Sequence, residues 1–173
     1  PSCISRMERT GVVSTETAQA LGAVGMAARS SGVDIDTRFD FNDKWYTSLD
    51  VVKPFKATGD VHSRFKLRYK EIKQSMQIVK KLLDKLKEFR NEQILTNPNK
   101  TLAPNAFAIS MTEGWRGEIV HIALTGANGE LLRYKMKDPS FNNWYMLAMA
   151  VRNNGVSDFP LCNKSCLLYT SPS

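Results

Sequence analysis

Four side chains able to carry acid–base chemistry fall within nine residues: Glu113, Arg116, Glu118 and His121. Carboxylates and imidazoles exchange protons near neutrality when their surroundings shift them, and a neighbouring guanidinium sets which form is favoured. The set sits at a tight turn, between Gly114 and Gly117, that leads into an alternating apolar run. An Arg bridging two exposed carboxylates is worth only about 0–1 kcal/mol. A partly buried set tunes proton affinity instead. These four are therefore candidates for proton handling or for lining a cavity. His121, on a strand beside an apolar face, also reads as an ordinary core or surface histidine. Farther upstream, Arg29, Asp36 and Arg38 can tether an irregular N-terminal segment through bidentate ion pairs.

Metal and nucleotide chemistry find less support. Cys162 and Cys166 flank Asn-Lys-Ser, close to a metal-ligand spacing, but the other candidate ligands (Cys3, His62, His121) are remote in sequence. Zinc needs four ligands, so no metal site is expected here. There is no G-x-G-x-x-G after a strand and no G-x-x-x-x-G-K loop, so nucleotide binding has no local sequence support. The last eight residues, Cys166 to Ser173, match the translation of a transposase sequencing adapter (TGT CTC TTA TAC ACA TCT CCG AGC). They are expected to lie outside the fold and to pack poorly. With the mid-chain wording of Pro1-Ser2-Cys3, this makes the chain read as a fragment of a longer protein.

The elements that must hold these residues have clear signals. Phe65, Tyr69, Ile72, Met76, Val79, Leu83 and Leu86 recur at alternating intervals of four and three. This predicts one helix over about 60–90 with that seam inward and Asp60 as its N-cap. Val120, Ile122 and Leu124 alternate with Ile119, His121 and Ala123, Gly126-Ala127-Asn128-Gly129 supplies a hairpin turn, and Leu132, Tyr134 and Met136 return. Ser140 is the expected N-cap of a covering helix that buries Phe141, Trp144, Leu147, Ala148 and Val151. Ser14 or Thr15 caps a short helix, a second short turn runs from Met26 to Ser30, and residues 33–55 read as mostly irregular. The fold class is α+β: a long bundle helix, a small antiparallel hairpin or sheet, and a covering helix. The organisation is an N-terminal segment (1–58), the basic helix (59–95), the hairpin with its helix (104–155), an edge (156–165) and the adapter-like tail (166–173).

The 173 residues carry a formal charge of +7, concentrated between Asp60 and Arg90, where ten Lys or Arg face four acids. Hydrophobic residues make up 42% of the chain, a globular balance that argues against wholesale disorder. No apolar run approaches the length needed to cross a bilayer. A basic helix suits phosphates, yet its aromatic residues lie in the apolar seam and form no exposed stacking stripe, so nucleic acid is not expected. The seam asks for a partner helix, and the sequence holds no second one of similar length.

The segment Thr112-Glu113-Gly114-Trp115-Arg116-Gly117-Glu118-Ile119-Val120-His121 resembles the T-E-x-x-R-G-x-x-x-H signature of [NiFe]-hydrogenase large subunits and their relatives, which include the large peripheral-arm subunit of NADH:quinone oxidoreductase (respiratory complex I). Two further stretches are similar, in the family's order: Gly11 to Arg38, with Ala28-Arg29-Ser30-Ser31-Gly32 and Asp36-Thr37-Arg38, and Tyr134-Lys135-Met136-Lys137-Asp138-Pro139-Ser140-Phe141. The wording at Gly114–Glu118 and His121 looks closer to the energy-converting hydrogenase branch. The resemblance implies a large subunit that passes electrons between an iron–sulfur partner and either quinone or protons and hydrogen. It also implies a nickel-iron centre in some members, iron–sulfur clusters and NAD on partner subunits, and a peripheral place on the cytoplasmic side of the inner membrane, with membrane contact only through partners. The nickel-binding C-x-x-C pairs of such proteins fall outside this chain, and Cys162 is not one of their ligands. Hence no cofactor is expected on this chain, and alone it should be inactive. The resemblance also places the Arg29, Asp36 and Arg38 region toward the iron–sulfur subunit. The competing reading is a non-enzymatic module whose basic helix binds RNA, an acidic partner or an anionic membrane.

Overall fold

The computed structural model describes residues 3–41, 46, 48–89 and 101–169. Four short helices open the chain: α1 (Cys3–Met7), α2 (Thr15–Ala20), α3 (Gly25–Ser30) and α4 (Thr37–Asp40). Ser14 caps α2 by accepting from the Thr17 amide, as its side-chain oxygen allows. Asp36 caps α4 in the same way through the Arg38 amide, a single short helix within the stretch 33–55 that reads as mostly irregular.

Asp60 accepts from the Ser63 amide and starts α5 (Val61–Leu86), which continues as a 3₁₀ turn, Lys87–Phe89. The helix is one piece, as its periodicity predicts; residues 90–95 lie outside the described ones. Its orientation differs from the expectation. The residues it buries are Val61, Ser63, Arg64, Leu67 and Glu71, whereas Phe65, Met76, Val79 and Leu83 are each more than half exposed. The inward stripe is largely polar because fixed partners satisfy it. Arg64 donates to the Gly59 and Gly11 carbonyls and to Ser165 Oγ, so the face that the helix buries within this chain is not the apolar seam, which stays exposed without its partner helix.

Strands β1 (Phe107–Glu113), β2 (Glu118–Thr125) and β3 (Leu131–Lys137) form an antiparallel sheet in that order. The register pairs Ile109 with Ile122 and Met111 with Val120, giving one apolar face. Across the hairpin, Tyr134 and Met136 face Ala123 and His121, while Lys135 and Lys137 face Ile122 and Val120. The apolar side chains of β3 thus lie on the opposite face from those of β2, in a register that carries an irregularity at Leu124/Thr125.

Helices α6 (Ser140–Ala150) and α7 (Phe159–Cys166) close the chain. Asp138, two residues ahead of Ser140, accepts the Ser140 amide and does the capping expected of Ser140. The α6 residues that turn inward are Asn143, Met146, Leu147 and Ala150, while Phe141 and Tyr145 point out. Met146 and Ala150 join Val13, Ala18, Ala23, Ala27 and Ala28, so α6 covers the N-terminal helices. The mixed helix and three-stranded sheet make an α+β fold. Residues 166–169 depart from the expected poor packing: Cys166 and Leu168 are buried with Val61, Leu147 and Cys162. Cys166 lies one helical turn after Cys162, and the left-handed Leu167 ends the helix ahead of Leu168, so both apolar side chains meet this surface. Residues 170–173 of the tail lie outside the described ones.

Candidate functional site

The site is built where α3, α4, α5 and the end of β1 meet. Arg29, at the end of α3, is about 1% exposed and carries a fork of contacts. Its Nη1 donates to Glu113 Oε1 at 2.9 Å and to the Ile35 carbonyl at 3.2 Å, and its Nη2 donates to Glu71 Oε1 at 2.5 Å. Asp36 Oδ2 lies 3.2 Å from Nη1. Arg38 clamps Asp36 bidentately, at 2.9 and 2.6 Å, and comes within 3.7 Å of Glu71. Glu113 is held as an acceptor on both oxygens, because Oε2 takes the Thr37 amide and hydroxyl. Two guanidiniums are shared among three carboxylates in a largely buried place, where unpaired charge is costly.

Burial works against the charge on Arg29, but Glu71, Glu113 and Asp36 outweigh it and hold its pKa above the ordinary arginine value. Arg38 follows the same pattern, with Asp36 the main carboxylate. For Asp36, burial pushes the carboxyl up, and the Arg38 hydrogen bonds with the charges of Arg29 and Arg38 bring it below the usual range. Arg29, Arg38 and Asp36 therefore carry their charges at neutral pH.

A cavity of about 300 Å³ opens beside it, lined by Arg29, Arg38, Glu71, Glu113, Gly114 and Trp115 among others. Glu71 has no donor on its second oxygen among the described residues, and its side chain is about 10% exposed. It is the carboxylate with acceptor capacity left over.

The Glu113–Glu118 turn is set by backbone contact. Gly25 and Gly117 approach so closely that a Cβ on Gly25 would lie 2.2 Å from the Gly117 Cα, and both have positive φ. Asn143 of α6 locks the same place: its amide donates to the Arg116 carbonyl and exchanges bonds with the Val24 amide and carbonyl. The Arg-Gly step therefore docks the turn on α3 and lets Glu113 reach Arg29.

The structure brings Glu113 together with Arg29, Asp36 and Arg38. It does not bring Arg116, Glu118 or His121 to them. Arg116 donates to the Leu167 carbonyl at 2.8 Å and lies 3.8 Å from Asp138. Glu118 lies 3.4 Å from Lys137 across the sheet, and His121 Nδ1 contacts the Tyr134 hydroxyl on an exposed strand face. The Arg that bridges two carboxylates is thus Arg29, between Glu71 and Glu113, and not Arg116. Sequence reasoning missed Glu71 and Thr37. For Glu71 the signal was its spacing from Arg64 and Leu67, which puts all three on one helical face.

Among the described residues, no three His, Cys, Asp or Glu side chains are grouped to hold an ion. Cys162 and Cys166 are buried, and burial raises the Cys162 thiol above its ordinary pKa despite the nearby Arg64, the wrong direction for a ready thiolate ligand. The four-thiolate donor set of a nickel-iron centre does not fit these residues.

Residues 1–108 match the family model of the 49-kDa subunit of respiratory-chain NADH dehydrogenase. The chain belongs to this family. An NADH-quinone oxidoreductase subunit of Syntrophobacter fumaroxidans is 27% identical over 90% of the chain. Formate hydrogenlyase subunit 5 of Escherichia coli is 31% identical over 93%, and the membrane-bound hydrogenase subunit alpha of Pyrococcus furiosus 32% identical over 89%. Both an NADH-quinone oxidoreductase subunit and hydrogenase subunits thus stand among the relatives. The chain spans 41%, 28% and 39% of those three relatives' lengths, respectively. No helix among the described residues is long and apolar enough to cross a membrane.

Proposed function

We propose that this chain is part of the large subunit of a complex I-like or energy-converting hydrogenase-like oxidoreductase. In that assembly, electrons pass between an iron–sulfur partner and either quinone or protons and hydrogen. The supporting observation is the Arg29–Glu71–Glu113 bridge at the cavity, in which Arg29 and Glu113 come from the stretches that resemble the family. Either acceptor consumes one proton per electron: two electrons and two protons turn quinone to quinol, or two protons to hydrogen. A site that holds protons near the acceptor is therefore useful in both branches. Clusters, NAD and any metal centre belong to partner subunits or to the part of the polypeptide beyond this chain.

Within the cluster, the division of labour follows from hydrogen bonding. Glu113 accepts three bonds as a carboxylate, and protonation would forfeit some of them, so it anchors. Glu71 has a spare oxygen facing fewer partners, and a proton there costs less. It handles the proton, held beside Arg29 and Arg38.

The test uses the assembled complex. Glu71→Gln is expected to lower turnover at least about tenfold with a small change in melting temperature, and Glu71→Asp to recover part of it with a shifted pH profile. Unchanged turnover in Glu71→Gln, with an unchanged pH profile, would remove Glu71 from the chemistry.

A further inference from the structure

A carboxylate that holds a proton for each electron needs a supply of them, and the cavity beside Glu71 is a poor one. Apart from Ser75, its lining beyond the charged cluster and Tyr46 is Ile78, Val79, Trp115 and the Gly114 backbone. Val79 belongs to the apolar seam of α5, so this side is closed to water wherever the seam is covered. A second cavity, of about 370 Å³, adjoins the first, and its unshared lining is Thr37, Phe41, Met111 and Thr112. The two spaces have three walls in common, Arg38, Tyr46 and Glu113. A proton carried by a side chain from one to the other must use one of these. Arg38 cannot carry it, because a guanidinium stays protonated and only donates. Glu113 takes Arg29 on one oxygen and the Thr37 amide and hydroxyl on the other, and a proton there would break part of that set. Tyr46 is left. It is partly buried, and a phenol hydroxyl both donates and accepts, which a relay requires.

We propose that Tyr46 relays protons from water in the second cavity to the spare oxygen of Glu71, a role that rests on the reading of Glu71 as the proton holder. A hydronium in the second cavity gives its proton to the phenol oxygen. The phenol's own proton leaves on the other side for the Glu71 carboxylate, directly or through water in the first cavity. One O–H bond forms on Tyr46 as another breaks, the tyrosine ends unchanged, and no electron moves. Each water takes about 30 Å³ of liquid volume, so both spaces have room for short water chains. The charged side chains lining the two spaces are Arg29, Arg38, Glu71 and Glu113. With Glu71 ionised, the three carboxylates of the cluster (Asp36, Glu71, Glu113) outnumber its two guanidiniums by one, so a proton delivered to Glu71 completes the charge balance.

The test uses the assembled complex and reads turnover against pH in water and in deuterium oxide, beside the melting temperature. Tyr46→Phe keeps the ring that walls both cavities and removes only the hydroxyl. It is expected to lower turnover about tenfold or more at alkaline pH, where proton supply limits, with a larger solvent isotope effect and an unchanged melting temperature. The double variant Tyr46→Phe/Glu71→Gln should lose little more than Glu71→Gln alone, since the two groups act in series. A loss in Glu71→Gln, with turnover and isotope effect in Tyr46→Phe matching the parent, overturns the relay and leaves Glu71 in its role. Losses that multiply in the double variant overturn it too, because they mark independent functions. So does a Tyr46→Phe loss that comes with a fallen melting temperature and an unaltered isotope effect, which makes Tyr46 a packing residue. Unchanged turnover and pH profile in Glu71→Gln removes the proton holder and the relay together.

Discussion

Arg29 is the residue on which the buried cluster depends, because it alone touches Asp36, Glu71 and Glu113. Removing one partner of a buried ionic set leaves the others desolvated and uncompensated, at about 3–5 kcal/mol. Arg29→Met is therefore expected to lower the melting temperature steeply, and Arg29→Lys to rescue little, since an ammonium cannot fork to several carboxylates as a guanidinium does. Equal thermal stability of Arg29→Met and the parent would show that the cluster contributes nothing to the fold. Arg116 is a contrasting case. Its side chain is about a third exposed and holds a carbonyl away from the cavity, so Arg116→Ala in the assembled complex should leave turnover within about twofold and cost only a little stability. A large loss of turnover without a stability change would return Arg116 to the reaction.

At the scale of elements, the Gly25–Gly117 contact decides how the sheet docks on the helices. Gly25→Ala places a methyl group into the Gly117 backbone at a positive-φ position, and backbone cannot yield as a side-chain tip can. A loss well above about 1 kcal/mol is expected by chemical denaturation, with a control such as Gly155→Ala, whose φ is ordinary, nearly neutral. The elements themselves were largely legible. Asp60, the seam spacing and the Gly126–Gly129 turn are local signals that need no partner, and α5, β2 and β3 follow from them. Their facing was not legible. Both α5 and α6 turn polar residues inward, Arg64 and Glu71 on one and Asn143 on the other, each satisfied by groups far away in sequence. Hydropathy cannot register a hydrogen bond to a carbonyl 53 residues upstream. For the same reason Glu113 was visible as a motif residue, while its partner Glu71 looked like one more charge on a basic helix. Helix α7 went unseen because it is short and its apolar stripe spans only two turns, although Pro160 in its first turn suits a helix start.

For the molecule as a whole, pH and truncation test different parts of the packing. The carboxyls of Asp36 and Asp60 are both held below their ordinary value of 3.8. In each, burial pushes upward and is outweighed, by Arg38 and Arg29 for Asp36 and by the Ser63 and Arg9 amides for Asp60. A depressed folded pKa means that the stabilisation is complete above the unfolded value and is lost as pH falls through the folded one. Stability should thus be flat with respect to these groups above about pH 5 and fall below about pH 4. The Asp36→Asn variant should show a shallower acid limb in urea titrations, and a parallel limb would exclude Asp36 as a source. The C-terminal residues supply the other test. Cys166 and Leu168 are about 2% and 3% exposed and complete the cluster around Val61, Leu147 and Cys162, while the Leu167 carbonyl receives Arg116 and the Tyr169 amide donates to Ser140 Oγ. Loss of one buried Leu side chain costs about 2–5 kcal/mol when the site cannot collapse. Truncation after Ser165 is therefore expected to lower the melting temperature by several degrees, with Leu168→Ala reproducing a good part of the loss. If truncation instead leaves the melting temperature unchanged, these side chains cover the surface without stabilising it. Residues 166–169 would then be passengers on a fold that is complete at Ser165.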